Sequence, residues 1–344
     1  MDTKRCKEIT VFLLSLLELK GIGPRTVSNI AKKHGRSLMG EGRLDADYAK
    51  SLNDSKVNKA LDNTKFYWEK LEECAYSVLE AADAIGARVL NPLSSEYPSR
   101  LLLNRNFPPI LYCLGDAKAL DPAKSVAMVG TRTPTDFGSR MGRRLAEILA
   151  DDGYVVVSGL ALGCDTEAHE GALDAGGKTI AVLPTPLGSE IYPSQNKGLA
   201  ERILHSGGAL VTEYPPNMEM GDRQLIANLV ARDEWQPGLS DGLVAFETSV
   251  NGGTRHAVEH ALNTKTPVAV FDYSTRQGID FEADKRFGGN VAYLRSGQAS
   301  PIYEPHTIDE FKKKMDEYRM SSKSISPERT SERDCGNCQT SLRF

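Results

Sequence analysis

The chain reads as an α/β protein, a doubly wound and mostly parallel sheet preceded by a small helical region. Three observations carry this reading. Short apolar runs recur at 126–129, 155–158 and 179–183, with helical segments between them. Two of the runs end in a glycine, Gly130 and Gly159, that opens the way into a helix. Strands covered by helices on both faces are continuous apolar runs rather than alternating ones, and that is the pattern here. Glycine at a strand-to-helix turn also lets backbone N–H groups approach a ligand, where the helix N-terminus adds partial positive charge.

In chain order, residues 1–85 lack strand signals and read as helices. Residues 86–120 form a proline-bearing connector with extended pieces at 87–90 and 110–114. Residues 121–320 carry the strand–helix repeat, with further strands expected at 209–213, 243–247 and 268–271, a weaker one at 291–294, and a closing helix at 307–318. Residues 321–344 are rich in serine and charge and read as a disordered tail.

The 344 residues allow about two domains and a full core. A hydrophobic fraction of 40% and a charged fraction of 26% are those of a globular protein. The net charge of −4 excludes a polycation that coats nucleic acid indiscriminately, but not a local basic groove. The apolar run 9–19 is too short to span a bilayer, contains Glu18 and lacks a cleavage site, so no targeting signal is read. Four of the six cysteines are dispersed, which is no disulfide framework and points to the cytoplasm. Cys335-x-x-Cys338 is half a zinc site without a second pair, so no metal and no cofactor is expected.

Four segments carry candidate ligand chemistry. Arg132 follows the first strand at the sheet's carboxyl edge, where a guanidinium can grip a phosphate with two donors. With Gly130 and Thr131 it forms the first candidate phosphate loop, and Ser158 and Gly159 form the second. Asn251-Gly252-Gly253-Thr254 stands between a strand and a helix. It is a third phosphate-binding turn or a simple helix cap. Gly21 and Gly23 flank Ile22 between two helices. Such a hairpin binds a nucleic-acid phosphate through its N–H groups, or is only a tight turn. Arg143 and Arg144 read as solvated helix-face charges. Asp165 and His169 share a helix face, but with no third ligand nearby they read as a cap and a packing residue. No Gly-x-Ser-x-Gly elbow follows an expected strand, and no complete Gly-x-x-x-x-Gly-Lys-Ser/Thr loop or His-Glu-x-x-His motif is present, which favours binding over turnover.

These motifs together resemble the DNA-processing protein A (DprA/Smf) family. The resemblance rests on Val129-Gly130-Thr131-Arg132, Gly138-Ser139-Arg140, the run from Val157 to Asp165, Ala168-His169-Glu170-Gly171-Ala172-Leu173, Gly176-Gly177-Lys178, Tyr192-Pro193, Asn196 and Thr212-Glu213-Tyr214-Pro215-Pro216. It covers roughly residues 10–272. It implies a Rossmann-like core with a helix–hairpin–helix (SAM-like) cap. It also implies single-stranded DNA as the ligand, protection or processing of incoming strands, loading of a RecA-type recombinase, and a homodimer. Phosphate roles follow for Gly130, Thr131 and Arg132, with Lys197 as a basic partner.

Two departures stand out. The family's Arg-Asn-Arg-Ile-Ile-Ala-Gly-Leu-Ser block, taken directly after the proline pair, falls on 221–228. It then keeps only Arg223, and an insertion at 229–237 precedes Gly238-Leu239-Ser240. No winged-helix region follows the core. The apolar residues Leu225, Ile226, Leu229, Val230 and Trp235 are expected in the core or on a dimer surface. The rival reading is a nucleotide-sensing or nucleotide-phosphoribohydrolase-like protein acting in defence against foreign DNA. It would use Gly252-Gly253-Thr254, with Glu259 as its acid.

Overall fold

The computed structural model describes residues 3–63 and 67–323. Five helices open the chain: α1 (Thr3–Leu17), α2 (Pro24–Leu38), α3 (Ala46–Ser51), α4 (Ser55–Asn63) and α5 (Trp68–Ala84). Then follow β1 (Arg88–Leu90), β2 (Leu111–Gly115), β3 (Ser125–Val129), α6 (Asp136–Asp151), β4 (Val155–Ser158), α7 (Cys164–Asp174), β5 (Thr179–Val182), α8 (Lys197–His205) and β6 (Ala209–Thr212). The last part holds α9 (Asp222–Ala231), α10 (Trp235–Gly238), β7 (Leu243–Ala245), α11 (Arg255–Asn263), β8 (Val268–Phe271), α12 (Gly288–Arg295), β9 (Ser300–Ile302) and α13 (Pro305–Lys323).

All nine strands join one sheet in the order β1-β2-β6-β5-β4-β3-β7-β8-β9. Every pairing from β6 to β9 is parallel. β2 pairs antiparallel with both β1 and β6. The expected connector is therefore part of the sheet and forms its antiparallel margin. Each residue of β3, β4, β5 and β6 is buried, as a strand covered on both sides must be.

The N-terminal helices share a core with the sheet. Ile9, Phe12, Val27, Leu71 and Val78 belong to the same apolar cluster as Ala181, Leu183, Ile203 and Leu210. Ser28 Oγ, on α2, donates to the carbonyl of Phe107 at 2.6 Å. Pro24 begins α2, where its missing N–H costs nothing, directly after the hairpin glycines. Gly21 there takes φ +88°, a left-handed conformation that suits glycine.

The expected strand at 291–294 is a correction: these residues lie in α12. A four-residue apolar run fits a strand or a buried helix turn equally well by periodicity. Asn290 decides between them. Its amide donates to the carbonyls of Phe246 and Phe271 and accepts from Thr248 N, which seats the start of α12 across two strand ends. The edge strand is β9 instead. The closing helix α13 continues through Lys323, three residues into the expected tail. Residues 324–344, with Cys335 and Cys338, lie outside the described residues. Among the described residues no helix is long and apolar enough to cross a membrane.

Candidate functional site

The side chains of β3 alternate between two cores. Val126 and Met128 pack with Leu145, Ala146 and Leu149 of α6, whereas Ala127 and Val129 pack with Ala257, Val258 and Ala261 of α11. The helix that follows β3 therefore lies on one face of the sheet, and the helix that follows its neighbour β7 lies on the other. Where connections diverge in this way, a crevice opens beyond the carboxyl ends of the strands. Here it is a cleft of about 700 Å³. The β3 loop (Gly130, Thr131, Arg132) and the β7 loop (Gly252, Gly253, Thr254) form two of its walls, as the sequence suggests. Ile226, Leu229 and Val230 of α9 form a third, and Lys285 and Arg286 reach its rim.

Glu247, just past β7 and fully buried, holds the loops in place. Its carboxylate accepts from Thr135 N at 2.8 Å, Thr135 Oγ1 at 2.6 Å and Tyr273 OH at 3.2 Å, and its carbonyl accepts from Thr131 N at 2.9 Å. Thr135 in turn caps α6 by accepting from Gly138 N at 2.9 Å. A Cβ on Gly138 would overlap the Glu247 carboxylate, so this glycine serves close packing. Gly138→Ala is expected to lower stability by ~1–3 kcal/mol through that overlap, as read from urea unfolding; an unchanged midpoint would refute the role given to Glu247.

The floor of the cleft is charged but balanced. Arg232 is almost wholly buried between two carboxylates, with Nη1 3.8 Å from Asp165 and Nε 3.4 Å from Asp233. Asp165 also accepts from Gly159 N and Ala161 N at 3.1 and 3.3 Å. It thus turns back from α7 onto the preceding loop, while Gly163 takes the cap position. A Cβ on Gly159 would overlap Arg232 Nη1, so that glycine makes room for the guanidinium. Burial raises the carboxyl of Asp165 against the pull of Arg232. It also pushes Asp233 up to about 6, opposed by Arg232, His256 and Arg132. His169 donates to or accepts from Thr179 Oγ1 at 2.7 Å and packs in the core, as expected. Burial, with Arg232 nearby, pushes it down to about 3. Leu160, buried at φ +59°, is held by Asn196, whose amide donates to the carbonyls of Leu160 and Ala161 at 2.8 and 3.3 Å.

Not every expected residue meets the cleft. Ser158 is buried and donates to the carbonyl of Met128 at 2.6 Å, so its role is within the sheet. Gly159 faces a smaller hollow of about 50 Å³ that shares Arg132, Ala161, Leu229 and Arg232 with the main cleft. Lys197 is exposed at the start of α8, and Arg223 is exposed on α9; neither lines the cleft. Gly21 and Gly23 lie in the α1–α2 hairpin, with open space beside both. Arg143 pairs with Asp174 at 2.6 Å and Arg144 with Glu147 at 2.6 Å, outside the cleft. Glu259 is half exposed, pairs with Arg255 and does not line the cleft. Trp235, at 8% exposure, is core as expected, but the apolar residues of α9 are not: Ile226 is 65% and Val230 44% exposed, on the cleft wall.

The family model for DNA recombination-mediator protein A matches residues 88–311, the whole sheet with its cleft loops. The chain belongs to this family. It is 36% identical over 256 residues to protein Smf of Synechocystis, covering 73% of this chain and 61% of that protein. It is 37% identical over 174 residues to protein Smf of Escherichia coli, covering 50% and 45%. The chain thus spans about half to three-fifths of the length of these curated relatives. Among solved structures, DNA processing protein A of Helicobacter pylori, described for its single-stranded DNA binding mode, superposes with a TM-score of 0.56 at 27% identity. That match covers 70% of this chain and 98% of that one. DprA of Streptococcus pneumoniae shares the fold, with a TM-score of 0.67 at 21% identity over 88% and 97% of the two chains.

The structure revises the family block near the cleft. Counted back from Gly238-Leu239-Ser240, the nine-residue block begins at Arg232. Its first arginine is then the buried Arg232 and not the exposed Arg223. Asp233 stands where the block has asparagine, and Glu234 where it has the second arginine. The unaltered Gly-Leu-Ser end is the signal in the sequence for this register.

Proposed function

We propose that the cleft binds single-stranded DNA, with one nucleotide entering between α9 and the ends of β3 and β7. The observation that carries this reading is the division of charge within the cleft. At the floor Arg232 is matched by Asp165 and Asp233, so there is no net positive charge for a phosphate. At the rim stand Arg132 and Lys285, together with the N-terminus of α11, while Arg286 is paired with Asp284 at 2.6 Å. The N–H groups of Gly253 and Thr254 donate to no described residue and suit a backbone phosphate. A volume of about 700 Å³ suits a nucleotide-sized ligand. The aliphatic wall of α9 offers a base an apolar face. A phosphate-led site is largely independent of sequence and weakens with salt.

Family membership and the H. pylori relative support the same ligand. The proposal includes pairing of two copies through residues 121–320. Two clefts on one strand raise the effective affinity well above that of one. It further includes a cytoplasmic role in handling incoming strands, contact with a RecA-type recombinase, and binding without catalysis. The hydrolase alternative gains no support from Glu259, which is engaged with Arg255 away from the cleft.

A titration of a labelled single strand and its duplex, repeated over a range of salt, tests the ligand. The single strand is expected to bind more tightly, with log affinity falling against log salt by about 0.7 for each phosphate engaged. Equal affinity for both forms, indifferent to salt, would overturn the proposal. Light scattering over a concentration series tests the pairing, which a constant monomer mass at tens of micromolar would remove.

A further inference from the structure

We infer that the floor of the cleft selects guanine from the bases of a bound strand, through Arg232, Asp233 and Gln236. The inference rests on the proposed binding of single-stranded DNA and concerns which base enters. Three polar atoms there are buried and have no hydrogen-bond partner among the described residues: Arg232 Nε, Arg232 Nη1 and Gln236 Oε1. Arg232 is 4% exposed and Gln236 1%, and both line the cleft. Unpartnered polar groups at such depth carry a desolvation cost that a ligand can relieve.

Asp233 links the other two. Its Oδ1 accepts from Gln236 Nε2 at 3.2 Å and lies 3.4 Å from Arg232 Nε. Its Oδ2 accepts from no described residue, and the side chain faces the cleft at 16% exposure. The Gln236 amide is oriented by this bond, which leaves its oxygen as the acceptor. The floor thus presents a donor (Arg232), an acceptor (Asp233 Oδ2) and a second acceptor (Gln236 Oε1).

The pairing edge of guanine carries an acceptor, O6, followed by two donors, N1–H and N2–H₂. It complements that set of one donor and two acceptors. Cytosine carries one donor and two acceptors, thymine a donor between two acceptors, and adenine one donor and one acceptor. Each of these would set an acceptor against a floor acceptor or leave a buried group unmet. The rim cations then hold the phosphates on either side, whatever the sequence.

The ionised form of Asp233 is the one whose Oδ2 can accept from guanine N1–H while Oδ1 accepts from Gln236 Nε2. The charged groups around it are Arg232 on its own segment, Asp165 from α7, His256 from α11 and Arg132 from the β3 loop. Its carboxyl is pushed up to about 6, chiefly by burial. Guanine preference is therefore expected above that pH and lost as pH falls through it. Backbone binding should persist there, because protonation removes a negative charge from the cleft.

Anisotropy titrations with oligo-dT carrying one central dG, deoxyinosine, dA or dC test the inference. The dG strand is expected to bind roughly 5–150-fold more tightly than plain oligo-dT, the range for a two-bond base contact. Deoxyinosine, which lacks the N2 amino group, should fall between them. Asp233→Asn should collapse the ratio of dG to dT affinity, because one acceptor becomes a donor. Free dGMP should displace the labelled strand at lower concentration than dTMP. Equal affinity of oligo-dT and its dG, deoxyinosine, dA and dC forms for the unaltered protein would overturn the inference and leave strand binding standing. No binding of any strand would instead defeat the proposed function. A ratio that survives Asp233→Asn, in a variant with an unchanged thermal midpoint, would also overturn the inference. The dG and deoxyinosine comparison needs no variant at all.

Discussion

Asp241→Ala is expected to lower folding stability by ~3–5 kcal/mol, the range for breaking a buried ion pair by removing one partner. Asp241 is 1% exposed and stands just before β7. Its Oδ1 accepts from Arg100 Nε at 2.9 Å, and its Oδ2 accepts from Arg100 Nη2 at 3.1 Å and from Ser125 N at 2.9 Å. Arg319 of α13 approaches to 3.6 Å. One carboxylate therefore joins the turn before β2, the start of β3, the start of β7 and the last helix. Alanine would leave the buried Ser125 N–H without its acceptor and the largely buried Arg100 guanidinium with only Asp121 and the Ala123 carbonyl. Guanidinium unfolding should show a lower midpoint with the slope preserved, and the thermal midpoint should fall by roughly 10 °C. Asp241 lies outside the cleft lining, so the folded variant should keep its affinity for a single strand. A midpoint within ~0.5 kcal/mol of the unaltered protein, the usual size of a surface substitution, would show that the network does not hold these four elements together.

The second large effect falls on binding. Arg132→Ala should weaken single-strand affinity by ~1–3 kcal/mol, the scale of a charged hydrogen bond lost at a site. Arg132 is exposed at the carboxyl end of β3 and lines both the cleft and the adjoining hollow. Its loop is anchored from below by Glu247 and does not depend on the arginine, so folding should be unchanged. Arg143→Ala is the matched control. Its guanidinium pairs with Asp174 and lies near Glu167 and Glu170, on the α6–α7 side. Its loss should cost binding little. A deficit for Arg143→Ala equal to that for Arg132→Ala would mean that general charge, and not the cleft, holds the strand. An unfolded Arg132 variant would contradict the loop anchoring described above.

The sequence by itself determined the sheet's central strands, because full burial on both faces demands unbroken apolar runs such as Val155-Val156-Val157. It also determined the two glycine-marked loops that become cleft walls, since strand, turn and helix starts are local signals. Arg132 was legible for the same reason: its place directly after a strand puts it at the carboxyl edge of the sheet. Other features depended on contacts distant in the chain. The run 291–294 became a helix because Asn290 bonds to two strand ends. The connector strands became part of the sheet because β2 found β6, about a hundred residues later. The apolar stripe of α9 was legible as a helix face, but only the fold set it over a cleft and left it uncovered. Arg232 shows the difference most plainly. In sequence it is one arginine beside two acids. Only the tertiary structure buries it against Gly159, between Asp165 and Asp233, because burial and charge balance are properties of what surrounds a side chain and not of its neighbours along the chain.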